Sequence, residues 1–273
     1  KLFSSIDGIT YTEEVSIPSQ SIIGKCLTIL GRWTGPSVFD ESNSVTVDVG
    51  SATLSSSTRV AMLSDKSINA CFIGSDGAWE FCQFRAATMS STGVYKLTGL
   101  LRGGRGTEWA CNRHTYSEKF ILLEASGLRR VLMQQSEIGI EEQWKVVSTG
   151  QLLSAATSEA FTDNGVGLKP FSPCDIRVSV VASTSTTFEW KRRSRKSVRF
   201  CGTGGINVPL GEFVESYDVE ILDALGAVVA SDTVSTTTWT TTYSSGAIPS
   251  GYSFAVYQKS FLVGRGYAAT LDL

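Results

Sequence analysis

The sequence predicts an all-β protein, and three observations carry that expectation. Ser and Thr are abundant, at 37 and 27 residues, beside 26 Gly and only 6 Pro. Apolar and polar residues alternate with period two in run after run, which places one set on each face of a strand. Clusters of Gly, Asn, Asp and Ser punctuate these runs at intervals of about 8–12 residues, the spacing of barrels and sandwiches. Thr, Val and aromatic residues fit pleated, half-buried surfaces, whereas Gly and Ser populate the turns between them. Charged residues make up 18%, below the usual ~25%, as expected of an extended β-protein that works outside a cell.

The runs come in order. Val45, Val47 and Val49 alternate with Ser44, Thr46 and Asp48; Ile176, Val178 and Val180 repeat the pattern. So do Tyr217, Val219 and Ile221, and then Tyr252, Phe254 and Val256. Turn signals separate the strands at Ser75-Asp76-Gly77, Ser91-Thr92-Gly93, Gly103-Gly104-Arg105-Gly106, Asn164-Gly165, Asp223-Ala224-Leu225-Gly226 and Pro249-Ser250-Gly251. The one stretch with helical character is Leu152–Glu159, and no tandem repeat is visible. A length of 273 residues suits two domains or one large one. The expected boundary is Lys169-Pro170-Phe171-Ser172-Pro173, where two prolines disfavour both helix and central strand. That gives domains 1–173 and 174–273.

A formal charge of −2, from 24 Lys+Arg against 26 Asp+Glu, offers no bulk attraction to nucleic acid or an anionic membrane, so no nucleic-acid partner is expected. Apolar runs fall far short of the ~20 residues of a membrane span, no signal-peptide pattern is present, and the chain reads as soluble. Lys1 rather than Met opens the sequence, which suggests a piece of a longer chain. The six cysteines (26, 71, 82, 111, 174 and 201) contain no C-x-x-C, and with one His no zinc-ligand spacing exists. Most of these thiols are expected reduced and buried; the alternative is one or two disulfides whose pairing the sequence leaves open. No metal and no cofactor are expected.

Residues 174–273 resemble a fibronectin type III domain, a seven-stranded sandwich. Phe188-Glu189-Trp190 stands where the second strand carries its inter-sheet Trp, and Tyr217–Ile221 looks like the third strand. Thr237–Thr242 around Trp239 resembles the fifth, and Tyr252–Tyr257 the sixth, with Tyr252 at the tyrosine-corner position. A long insertion, Ser194–Glu212, departs from the family pattern. The run Leu97-Thr98-Gly99-Leu100-Leu101-Arg102-Gly103-Gly104-Arg105-Gly106-Thr107-Glu108 is similar to the L-x-x-L-L-R-G-x-x-G-T-E signature of tail-tip and baseplate-hub proteins of siphophages and gene transfer agents. Its context, from Phe39 to Pro173, follows the same order: Phe72-Ile73-Gly74, Trp79-Glu80-Phe81, Phe120–Leu123, and Trp144 through Gly150. The resemblance implies a β-barrel-like hub domain over residues 1–173, near the C-terminal end of a longer chain. It further implies a homotrimer in the full-length hub that contacts other tail proteins and a host-cell surface receptor. The location implied is the virion tail tip, assembled in the host cytoplasm.

Arg102, Gly103, Gly104, Arg105, Gly106 and Glu108 form a Gly-rich turn, yet neither G-x-x-x-x-G-K-[ST] nor a helix-opening G-x-G-x-x-G is present, so nucleotide binding lacks its frame. The plainer reading is a tight turn with positive φ at Gly103 or Gly104, tied to the barrel by an Arg–Glu pair. Glycoside hydrolysis needs two carboxylates across a groove. Glu13/Glu14 and Glu141/Glu142 are adjacent and point to opposite faces of a strand, and only distant pairs such as Glu80 with Glu108 remain. His114, close to Cys111, lacks a G-x-S-x-G elbow to serve. The basic run supplies Lys191, Arg192, Arg193, Arg195, Lys196 and Arg199, which reads as a solvated hairpin or as a site for an anionic glycan or protein. No catalytic residue is expected. The function expected is structural, in tail-tip architecture and host attachment; a tail-borne glycan hydrolase and a secreted adhesin are the alternatives.

Overall fold

The computed structural model describes residues 1–35, 39–75, 77–124, 126–182, 185–195, 208–242 and 248–273. Strand dominates, in two compact units, Lys1–Asp163 and Asn164–Leu273. Pro170 and Pro173, where the sequence suggested a boundary, lie within the second.

In the first unit, β1 (Leu2–Ser5) and β2 (Thr12–Val15) precede β3 (Ile23–Cys26), β4 (Phe39–Asp40) and β5 (Val45–Asp48). A helix α1 (Arg59–Ser64) leads to β6 (Ala70–Ser75), β7 (Ala78–Ser91), β8 (Val94–Gly104) and β9 (Lys119–Leu122), followed by β10 (Glu141–Val146) and β11 (Ser158–Thr162). Strands β5, β8, β7, β6, β9 and β3 pair in a ring of six that closes into a barrel, with β4 added beside the end of β8. All pairings are antiparallel. The long β7–β8 hairpin turns through Thr92-Gly93, with Ser91 opposite Val94, as the turn signal there suggested.

The barrel interior holds Val45, Val47, Ile73, Phe84, Tyr95, Leu97, Leu100 and Phe120, with Cys26, Cys71 and Cys82 among them. Inward residues along β8 run Tyr95 and Leu97, then Leu100 and Arg102. This one-residue change of phase falls at Gly99, whose φ of +63° suits glycine alone without strain. The remaining strands of the unit form a separate four-stranded sheet in the order β11–β10–β1–β2, so the barrel is inserted in sequence between β2 and β10.

Two local expectations change. Leu152–Glu159 is not a helix: a single 3-10 turn at Leu153–Ala155 leads into β11, which pairs along β10. The real helix, α1, spans six residues capped by Thr58, whose Oγ1 accepts from the Ala61 amide. Six residues are too few to display a helical period.

The second unit contains β12 (Cys174–Ala182), β13 (Ser185–Lys191), β14 (Tyr217–Leu222), β15 (Val228–Val234), β16 (Thr238–Thr242), β17 (Ser253–Ser260) and β18 (Gly264–Asp272). They form two sheets, β12–β13–β16 and β15–β14–β17–β18. This three-plus-four order is that of a fibronectin type III-like sandwich. Its core is aromatic. Phe188 stacks on Phe254 with centroids 4.1 Å apart, and Trp190 meets Tyr217 edge-on at 5.3 Å. Tyr217, Val219, Ile221, Phe254 and Val256 are fully buried, as their alternation required, and Tyr252 packs against them. Val178, expected to face inward, is 47% exposed, because β12 is an edge strand.

Candidate functional site

The signature turn closes over a buried charged cluster at the end of β8. Arg102 is the centre. Its Nε and Nη2 donate to Glu80 Oε1 and Oε2, both at 2.7 Å. Nη1 donates to the Gly31 carbonyl at 3.0 Å and to Asp40 Oδ2 at 3.2 Å, and Nη2 also donates to the Cys111 carbonyl at 3.2 Å. All five guanidinium N–H groups therefore have acceptors. The side chains of Arg102, Glu80 and Asp40 are entirely shielded from solvent. Glu80 is equally committed, accepting in addition from the Gly103 amide at 2.8 Å, Cys111 Sγ at 3.2 Å and His114 Nε2 at 2.6 Å.

Each element delivers its group for a local reason. Glu80 alternates with Cys82 and Phe84 and so faces the barrel interior from β7. Asp40 stands at the end of β4 and accepts from Ser42 and Asn43. Gly103, with φ of +63°, lets the chain turn immediately after Arg102; a Cβ there would press on Cys111 and Glu108. Thr107 pins the turn, its Oγ1 donating to the Gly104 carbonyl and accepting from the Phe81 amide. The ion pair that ties the turn to the barrel is thus Arg102 with Glu80 of the neighbouring strand. Arg105 lies outside, its guanidinium 4.9 Å above the Phe81 ring.

Burial alone would raise the Glu80 carboxyl, but hydrogen bonds from His114 and Arg102 outweigh it and hold Glu80 at about 2. His114 is bracketed, its Nδ1 at 2.7 Å from Glu118 Oε2 and its Nε2 at 2.6 Å from Glu80 Oε2. Burial would lower its pKa, yet the hydrogen bonds to Glu80 and Glu118 raise it above the ordinary 6.5. A carboxylate at each ring nitrogen favours the charged form of the ring, in which both nitrogens donate. Desolvation pushes the Cys111 thiol far above its usual range, away from the reactive thiolate. Among the described residues, the side chains of Arg102, Glu80, Asp40, His114 and Glu118 are shielded from solvent. The arrangement clamps four chain segments, those that carry Asp40, Glu80, Arg102 and His114.

Sequence reasoning located Arg102 and its glycines but not Asp40 or Glu118 as partners, and it weighed Glu80 only as a possible catalytic carboxylate. One signal was available: Glu80 interrupts the apolar run of β7, and a charge at an inward strand position demands a buried partner. Cys26, Cys71, Cys82 and Cys111 are buried free thiols; Cys201 lies outside the described residues.

In the basic run, Lys191 pairs with Asp175, Arg192 with Glu215 at 2.8 Å and Arg195 with Glu212 at 3.2 Å. Arg193 lies over the Phe171 ring at 5.2 Å. These four cations are engaged locally, and Lys196 and Arg199 lie outside the described residues. Carboxylates do converge elsewhere: Asp7, Glu14, Glu137 and Glu142 line an open cavity of about 400 Å³ against the small sheet. Glu14 and Glu142 come from strands on either side of β1, a meeting that no local pattern announces.

Among the described residues, no helix is long and apolar enough to cross a membrane. A family model described as "Rcc01698-like, C-terminal" matches residues 21–121, the stretch that builds the barrel from β3 to β9. No curated protein matches the chain. Among solved structures, the chain is similar to domains d3-d4 of the rat CD45 extracellular region, at 15% identity and TM-score 0.27, covering 55% of this chain and 73% of that one. The FN5 domain of Drosophila Lar gives 19% identity and TM-score 0.23, over 38% and 95%. A two-domain fibronectin type III segment of chicken tenascin gives 12% and 0.27, over 90% and 99%.

Proposed function

We propose that the chain is a non-catalytic structural part of a phage-like tail tip or baseplate hub that contributes to host-cell attachment. One observation carries the reading. The residues of the hub-like signature, Leu97–Glu108, contribute the central cation and the turn of a fully buried clamp, within the barrel that the family model spans. A signature of that kind preserves a shape. The sandwich, with its own aromatic core, suits a module displayed outward from such a hub. In this reading the full-length chain trimerises, lies in the virion, and meets other tail proteins on one side and a cell-surface receptor on the other.

The glycan-hydrolase alternative has the acidic cavity in its favour. Against it, Asp7, Glu14 and Glu137 are each held by hydroxyl or amide donors of their own chain, which favours binding over bond cleavage. Immunogold electron microscopy of purified particles tests the proposal: label is expected at the tail tip, and disruption of the gene should give particles that fail to adsorb. Label confined to the bacterial envelope, or clearing of a cell-wall zymogram by the pure chain, would overturn it.

A further inference from the structure

The cavity beside the small sheet combines features that the structural role leaves unused. Asp7 accepts from Ser5 Oγ and from the Ile9 and Thr10 amides, Glu14 from Ser4 Oγ, and Glu137 from the Gln134 amide. Glu142 differs. It is 5% exposed, and among the described residues no donor meets hydrogen-bond geometry with it. The Trp144 indole N–H lies close enough to favour the carboxylate, yet is itself buried without a partner. A buried carboxylate normally has strong donors.

No Lys, Arg or His lines the cavity, so its negative charge is uncompensated. Among the described residues, no group of three or more Asp, Glu, His or Cys is arranged to hold a metal ion. The space of about 400 Å³ is far larger than one ion, and its rim carries the exposed aliphatic side chains Ile6 and Leu132, at 67% and 92%. A neutral hydroxylated ligand would supply donors but leave the charge.

We propose that this cavity receives an arginine side chain of a protein partner, with the guanidinium on Glu142 and Glu14 and the aliphatic stem against Ile6 and Leu132. A guanidinium donates in a planar fork to carboxylates and stacks on an aromatic face, and Trp144 provides one. Desolvation raises the Glu142 carboxyl above its usual range, with Glu137, Glu14 and Asp163 adding to the shift and the Trp144 indole opposing it. An incoming cation reverses that effect, so binding should weaken as the pH falls and Glu142 takes up a proton.

The test uses N-acetyl-arginine methylamide as probe and its neutral isostere, N-acetyl-citrulline methylamide, as control, read on the Trp144 indole signal in nitrogen-15 NMR and assigned through Trp144→Phe. The arginine probe should give a saturable shift with millimolar affinity, and the citrulline probe none. Glu142→Gln should weaken binding about tenfold or more, and Glu14→Gln less, as expected for loss of a charge-assisted pair. An unperturbed spectrum elsewhere shows that each variant is folded. Equal response to both probes, unchanged affinity in both variants, no response to arginine, or a response to calcium chloride in its place would each overturn the proposal.

Discussion

The barrel and the sandwich solve the same problem with opposite chemistry. The barrel seals one end with buried ions, Arg102, Glu80, Asp40, His114 and Glu118, whose donors and acceptors are matched almost one to one. The sandwich fills its centre with Phe188, Trp190, Tyr217, Trp239 and Phe254, and keeps its charges on the outer face, where Arg265 bridges Asp218 and Glu220. Aromatic burial is tolerant and non-directional, whereas a buried ion pair holds only while every partner is present. The first suits a display module. The second suits a joint whose geometry must stay fixed, and it makes the barrel sensitive to changes that the sandwich should ignore.

Breaking the clamp should have the largest effect. Arg102→Ala or Glu80→Gln leaves an uncompensated buried charge or an unmet donor set, which costs roughly 3–5 kcal/mol. Thermal melts should show the barrel transition lowered, or lost with soluble yield; a variant as stable as wild type would end the clamp reading. On the other side of the comparison, Trp190→Ala should cost about 3–5 kcal/mol in the sandwich. A fragment of residues 164–273 should melt cooperatively, and this substitution should abolish its transition.

The pH response separates the regions further. Glu80 is held at about 2 against an ordinary 4.5, so its contribution is full above 4.5 and is lost as the pH falls toward 2. His114 is raised above 6.5, so its contribution is full below 6.5 and is lost as the pH rises through the raised value. The sandwich contains no histidine. Mild alkali should therefore lower the barrel's melting temperature while the isolated sandwich stays unchanged. Smaller still is Arg177→Ser, which removes one exposed pair with Asp175 and should cost no more than ~1 kcal/mol, the scale of surface ion pairs.

Much of the sandwich was legible because its inner residues alternate over uninterrupted runs: Tyr217, Val219 and Ile221 could face only one way. The barrel was less so. Its fold was suggested by a resemblance, and its inward set changes phase at Gly99, which blurs a period-two pattern. Glu80 and Arg102 are both visible in sequence, but their pairing depends on how β7 and β8 register. The acidic cavity was illegible, since β1, β2 and β10 meet only after the whole barrel has been inserted between them.

The clamp's central claim is that Glu80 and Glu118, one at each ring nitrogen, favour the charged form of His114. Nitrogen-15 NMR of the single histidine reads this directly. The titration midpoint should lie above 6.5, and both ring nitrogens should appear protonated at pH values below that midpoint. A midpoint at or below 6.5 would contradict the buried ionic clamp.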